Sequence, residues 1–152
     1  MSKVTRPSDR AAVVGVVNPD ALTATTHDSD WIDASKFERF LAIAMVGTLG
    51  ESAEFDAKLM QATDASGTGA KDITGKAITQ ISEDVSPAPN NKQALINLRA
   101  EELDIANGFT HFMLRLTVAA ATSDGGGLVL GFDPHYGPAS DNDLSSVAEI
   151  VA

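Results

Sequence analysis

Cysteine is absent from the 152 residues, which excludes disulfide frameworks, thiolate zinc sites and cysteine nucleophiles. Large rings are scarce: one Trp, one Tyr and six Phe. So few aromatics cannot build a sugar-stacking platform, and the core must rely on small and β-branched side chains. Cations are scarce as well, with 11 Lys and Arg against 21 Asp and Glu, a net charge of −10. Neutralising phosphates takes Lys and Arg, so no nucleic-acid partner is expected. A solvated acidic surface accounts for the charge; a negative patch facing a basic partner or a divalent cation is the sharper alternative. No apolar run approaches the roughly 18 residues of a membrane span. The apolar run at residues 11–17 is too short for a secretion signal. The expectation is a soluble protein made in a cytoplasm, with no membrane partner.

What is present is β-patterned. Residues 1–10 (MSKVTRPSDR) are polar and unpatterned and read as a flexible arm ahead of a single domain over residues 11–152. Residues 11–17 (AAVVGVV) read as a strand stopped by Asn18-Pro19-Asp20, and residues 22–27 as Thr-rich extended chain. Residues 32–40 are ambiguous, because Ser35 and Glu38 have capping-box spacing for a helical turn. Residues 41–49 (LAIAMVGTL) form a continuous apolar run. It suits a strand buried on both faces or a helix interior, and Gly47 and Gly50 favour the strand.

Alternation is clearest over residues 54–61, where Phe55, Ala57, Leu59 and Gln61 share one face. Residues 73–81 and 93–99 read as further strands, separated by a loop with two prolines; 100–108 reads as a short helical turn. Over residues 109–118, Phe112, Leu114, Leu116 and Val118 oppose His111, Met113, Arg115 and Thr117. A tight turn at 124–127 and a strand at 128–132 follow. Residues 134–143 read as loop, and 144–151 as either helix or edge strand. Seven or eight short strands at ten- to fifteen-residue spacing indicate an all-β sandwich or barrel.

No constellation in the sequence has the spacing of known chemistry. Gly69 and Gly75-Lys76 are one residue too far apart for a phosphate-binding loop, and Ala77 replaces its hydroxyl. His27, His111 and His135 lack metal-ligand spacing. Asp64, Ser66, Thr68 and Asp72 offer oxygens without the closing Glu of a calcium loop, and turn chemistry explains them. The carboxylates Glu101, Glu102 and Asp104 read as a charged turn, and Asp133-Pro134-His135-Tyr136 as another. No catalytic residue, cofactor or metal ion is expected. Trp31 reads as a core or interface anchor, and His111 lies on a polar strand face from which it can reach a neighbouring chain.

Several segments together carry a resemblance: Ser29-Asp30-Trp31-Ile32-Asp33, Gly47-Thr48-Leu49-Gly50, Asp56-Ala57-Lys58-Leu59, the run from Gln61 to Lys71, Gly75-Lys76-Ala77-Ile78-Thr79, INLRAEELD from Ile96, and Gly131-Phe132-Asp133-Pro134. Across most of residues 20–150 the chain resembles small virion proteins of tailed bacteriophages, most of all capsid decoration or cement proteins. The resemblance implies a jelly-roll-like sandwich that works as a homo-oligomer on the capsid surface. There it would bind the major capsid protein and clamp neighbouring subunits. It implies contact residues rather than catalytic ones, and the candidates are Trp31, His111, Arg115 and Tyr136. An arm that orders on binding and open strand edges both suit such contacts. A head-completion or tail component, and a carbohydrate-binding domain displayed on the particle, are the alternatives.

Overall fold

The computed structural model describes residues 5–152. Ten strands are formed among them: β1 (Ala11–Leu22), β2 (Thr26–Asp28), β3 (Ile32–Asp33), β4 (Phe37–Val46), β5 (Glu54–Ala62), β6 (Lys71–Ala77), β7 (Ile81–Ser82), β8 (Lys92–Arg99), β9 (His111–Ala119) and β10 (Ser123–Pro134). They make two antiparallel sheets. One has the order β1-β10-β4-β8; the other has β2-β9-β5-β6, with β3 added on β9 and β7 on β5. The chain crosses repeatedly between the sheets, so that the first and last long strands, β1 and β10, lie side by side. This is the jelly-roll arrangement, and the fold is all-β as the strand spacing indicates.

The core fills the space between the sheets. Phe112, Leu114, Leu116 and Val118 from β9 are buried, facing Phe40, Ala42 and Ala44 of β4 and Val129 of β10. Phe40 stacks edge-on against Phe112 with ring centroids 4.6 Å apart, and against Phe37 at 5.8 Å. Three rings in contact compensate for a core otherwise rich in alanine.

Several boundaries differ from the sequence expectation, each for a physical reason. The β1 strand is not stopped by Asn18-Pro19-Asp20; it continues to Leu22 with a register shift between Val17 and Asp20. β1 is the edge of its sheet, where a proline removes no ladder bond. The cap of the turn at Ala34–Lys36 is Asp33 rather than Ser35: its carboxylate accepts hydrogen bonds from the Ser35 N–H (2.9 Å) and hydroxyl (2.7 Å). Residues 124–127 are not a turn but part of β10. The two sheets close tightly there, and a Cβ on Gly127 would lie 2.6 Å from Leu114. Glycine therefore serves packing at this position rather than chain reversal.

Pro7–Arg10 of the expected arm forms a single helical turn, α1, beside the turn at Ala139–Asn142; residues 1–4 of the arm lie outside the described residues. The segment after Asp143 is neither helix nor strand. Its start is tied to β1, with the Asp143 carboxylate accepting from the Val13 N–H (2.7 Å) and the Leu144 N–H donating to the Val13 carbonyl (2.9 Å).

Candidate functional site

The two sheets present very different faces to solvent. On the six-stranded sheet, cross-strand neighbours pair Asp56 with Thr117, Lys58 with Arg115, and Ala62 with His111. Arg115 forms a bidentate pair with Asp28 at 2.7 and 2.8 Å, and Lys58 an ion pair with Asp72 at 2.9 Å. The Asp28 carboxylate holds the guanidinium of Arg115 above its already high pKa. This is an ordinary solvated face, with its charges satisfied laterally.

The outer face of the four-stranded sheet is apolar instead. Strand register lines up Val16, Leu128, Ile43 and Leu95 in one row across all four strands. The next row is Val13, Leu130, Leu41 and Asn97. Flanking them, Ala11, Phe132, Arg39 and Arg99 form one end; Gly126, Met45 and Gln93 form the other. Leu95 is 61% exposed and Met45 50%, while the remaining apolar side chains of the two central rows are half-buried by their neighbours. Hollows of about 610 and 730 Å³ mark the two ends, the first around Gly126 and Met45, the second around Phe132, Leu41 and Arg39. With strands about 4.8 Å apart and a rise of about 3.4 Å per residue, the face covers about 500 Å². The outer rows carry Arg39, Arg99 and Gln93, so the contiguous apolar patch is about half of that area, a size often put to use in binding.

The signal for this face was in the sequence. Residues 11–17, 41–46 and 128–132 are apolar on both strand faces, and the register makes their strands adjacent. The both-faces-buried reading of residues 41–49 is corrected here: β4 buries Phe40, Ala42, Ala44 and Val46, while Leu41, Ile43 and Met45 project outward with no layer over them among the described residues.

The four residues expected to make contacts lie elsewhere, and the fold brings only two of them close. Trp31 packs its indole against Gly67, where an added Cβ would lie 2.7 Å from Nε1. His111 bonds to the Thr110 hydroxyl through Nδ1 (2.9 Å) and sits opposite Asp33 on one side and Ala62 on the other. Trp31 and His111 thus both lie beside the turn begun by Asp64. Arg115 is committed to Asp28 further along β9. Tyr136, 89% exposed, stands apart in a hollow shared with Ser35, Lys36 and Asp141.

The oxygen-rich and acidic segments have structural employment. The Asp64 carboxylate accepts from the N–H groups of Thr68 (3.1 Å) and Ser66 (2.9 Å), closing its own turn; hydrogen bonding by Thr68, side chain and then backbone, lowers its pKa most. Glu101 pairs with Arg99, Glu102 with Lys76 (3.0 Å) and Asp104 with Lys71, tying the turns at Ala100–Glu102 and Ile105–Asn107 to β6 and β8. Among the described residues no group of three or more His, Asp or Glu is placed to hold a metal ion.

These carboxylates set the acid limit of stability. Asp104 is held below the ordinary carboxylate range by hydrogen bonds from Lys71 and Asn107, and Glu102 by the Arg99 N–H together with Lys76. For Asp33, burial raises the pKa but the Ser35 hydrogen bonds outweigh it. A depressed folded-state pKa means that the unfolded chain binds protons first as the pH falls. Their stabilisation is therefore complete above about pH 5, and it is lost as the pH drops through the lowered folded values. Thermal melts should be level from pH 7 to about pH 5 and fall steeply below about pH 4; a melting temperature rising on acidification would contradict this.

No protein-family model matches the chain, and no curated protein matches it at a significant level. Similar solved structures include an empty virus-like particle of Cowpea Mosaic Virus, 14% identical with a TM-score of 0.48, covering 91% of this chain and 88% of that one. Broad Bean Stain Virus is 11% identical with a TM-score of 0.45, covering 92% and 94%. A non-crystalline cellulose specific carbohydrate-binding module, CBM28, is 11% identical with a TM-score of 0.44, covering 81% and 73%. At TM-scores below 0.5 these likenesses carry no argument about function, and the jelly-roll assignment rests on this chain's own strand order.

Proposed function

We propose that this chain is a structural protein of a tailed-phage virion, binding the outside of the capsid and stabilising contacts between shell subunits. The likeness to phage virion proteins across most of residues 20–150 supports the reading, and the observation that carries it is the apolar outer face of the four-stranded sheet. A rigid sandwich with two aligned apolar rows in water gains by covering them with protein. On this reading the partner at that face is another subunit of the particle. Neither a reacting group nor a cofactor is needed for such a role.

The test is to incubate the purified protein with capsids that lack it, then measure retention and capsid melting temperature. Retention with a raised melting temperature is expected. Failure to bind, or binding without stabilisation, contradicts the cement role, and electron microscopy of bound particles separates shell from tail location. One observation favours a second reading, glycan binding: the 89% exposure of Tyr136, a ring able to stack on a sugar. A specific glycan-array signal lost in Tyr136→Ala would favour it over the structural role.

A further inference from the structure

We infer that the outer face of the four-stranded sheet is covered by a second copy of this chain, so that the unit engaging the particle is a two-fold dimer. The inference rests on the structural-subunit reading and names the partner at that face. Its first support is area. One face covers about 500 Å², so two faces packed together remove about 1,000 Å² from solvent, the lower bound for a specific interface.

Its second support is self-complementarity. Two sheets packing face to face run nearly aligned, about 10 Å apart. Consider a two-fold axis lying between the faces, perpendicular to the strands and passing over Val129. It lays β10 antiparallel over β10 of the second copy. The outward series on β10 is Gly126, Leu128, Leu130 and Phe132, with Val129 at its midpoint. The axis sets Leu128 against the second copy's Leu130, and Phe132 against the second copy's Gly126. The outward side of Gly126 is itself covered by Pro19, so Phe132 meets the hollow that Val16, Pro19, Met45 and Leu128 line beside it. On β4 the same axis sets Ile43 against the second copy's Leu41. Branched aliphatics oppose one another at the centre of β10 and β4, while at the ends Arg39 lies against the second copy's Met45 and Arg99 against its Gln93.

Charge does not oppose this packing, although each copy carries a net −10. Within the four rows the charged residues are Arg39 and Arg99, and both are paired inside the chain, with Asp133 at 3.4 Å and Glu101 at 2.8 Å. The acidic side chains of Asp28, Asp56 and Asp72 lie on the other sheet, and Asp20 and Asp124, which line the hollow at the Gly126 end, meet the end of the second copy that holds Arg39. An isologous contact of this kind closes as a dimer and does not propagate into fibres.

The experiment is sedimentation velocity on the full chain and on Leu128→Asp and Leu95→Glu, at protein concentrations from about 1 to 100 µM, with capsid retention measured in parallel. Leu128 projects outward at the centre of the face, and Leu95 is an exposed edge position where a carboxylate leaves the core intact. Circular dichroism confirms that each variant is folded. The expected result is a species of twice 15.8 kDa for the parent chain, a monomer for Leu128→Asp, and at least tenfold weaker association for Leu95→Glu. A parent chain that stays monomeric at 100 µM overturns the inference. So does a dimer left unchanged by both folded variants. If the monomeric parent binds capsids and Leu128→Asp does not, the face belongs to a shell subunit: the dimer is wrong and the virion reading stands. A dimer dissociated by Leu128→Asp, in a protein that ignores capsids, upholds the dimer and overturns the virion reading.

Discussion

Phe112→Ala is expected to destabilise the protein by about 3–5 kcal/mol, the range for removing a fully buried ring and leaving a cavity. Phe112 is 0% exposed on the strand that the sequence marks most clearly. Its ring is the junction between sheets, edge-on to Phe40 at 4.6 Å, and Phe40 continues to Phe37. The surrounding core residues are anchored in two sheets, which limits how far they can collapse into the space. Urea denaturation should show a lower midpoint at unchanged slope, and a thermal melt a drop of about 10 °C or more. A loss under about 1 kcal/mol would mean that the aromatic chain is not what joins the sheets.

Gly50→Ala is the second large effect, about 1–3 kcal/mol from overpacking, although it adds one methyl group in a connection. The added Cβ would lie 2.4 Å from the Thr122 carbonyl oxygen and 2.7 Å from the Ala121 Cβ. Neither neighbour is the end of a flexible side chain, so the backbone has to move. The same approach places the Gly50 N–H on the buried Ser123 hydroxyl (3.0 Å) and is held on the other side by Asn90 accepting from the Leu49 N–H (2.9 Å). Gly75→Ala is the control. Gly75 has a φ of 77° with nothing within 4 Å of an added Cβ, so only left-handed backbone strain of about 1–2 kcal/mol applies. Equilibrium denaturation of the two variants should rank Gly50→Ala as the more damaging; the reverse order would place the strain in the turn rather than in the contact between connections.

The sequence made the sandwich legible because its strands advertise themselves one at a time. Phe112, Leu114, Leu116 and Val118 alternate with polar residues, as do Phe55, Ala57, Leu59 and Gln61, and each set faces the core. Gln61, buried among apolar neighbours, is explained only by its partner: its side-chain oxygen accepts from the Asp104 N–H (2.8 Å) across 43 residues. The boundaries that moved depended on sheet position. Pro19 ends a central strand but not an edge strand, and the 125–127 glycines make a turn unless an opposing sheet presses close.

The apolar face was hidden for a related reason. Each of its strands, read singly, looks like a strand covered on both sides. Register alone reveals that three of them are adjacent, and among the described residues no layer lies above them. Conversely, Trp31 and Arg115 attract attention as rare or charged residues, yet one wedges against Gly67 and the other is satisfied by Asp28. Residue rarity is a poor guide to a contact surface made of common aliphatics.

The central claim, that this face is a protein contact, is tested most directly by peroxide footprinting of methionine. Met45 lies on the face at 50% exposure; Met60 and Met113, at 9% and 4%, serve as internal references within the other sheet. Oxidation at the three positions is read by peptide mass spectrometry, for concentrated protein, for particle-bound protein and for the dispersed Leu128→Asp variant. Met45 should oxidise quickly in the dispersed variant and slowly in either assembled form, while Met60 and Met113 stay slow throughout. Equal rates at Met45 in assembled and dispersed protein would contradict the account, because the apolar face would then remain open to water in the assembly it is held to form.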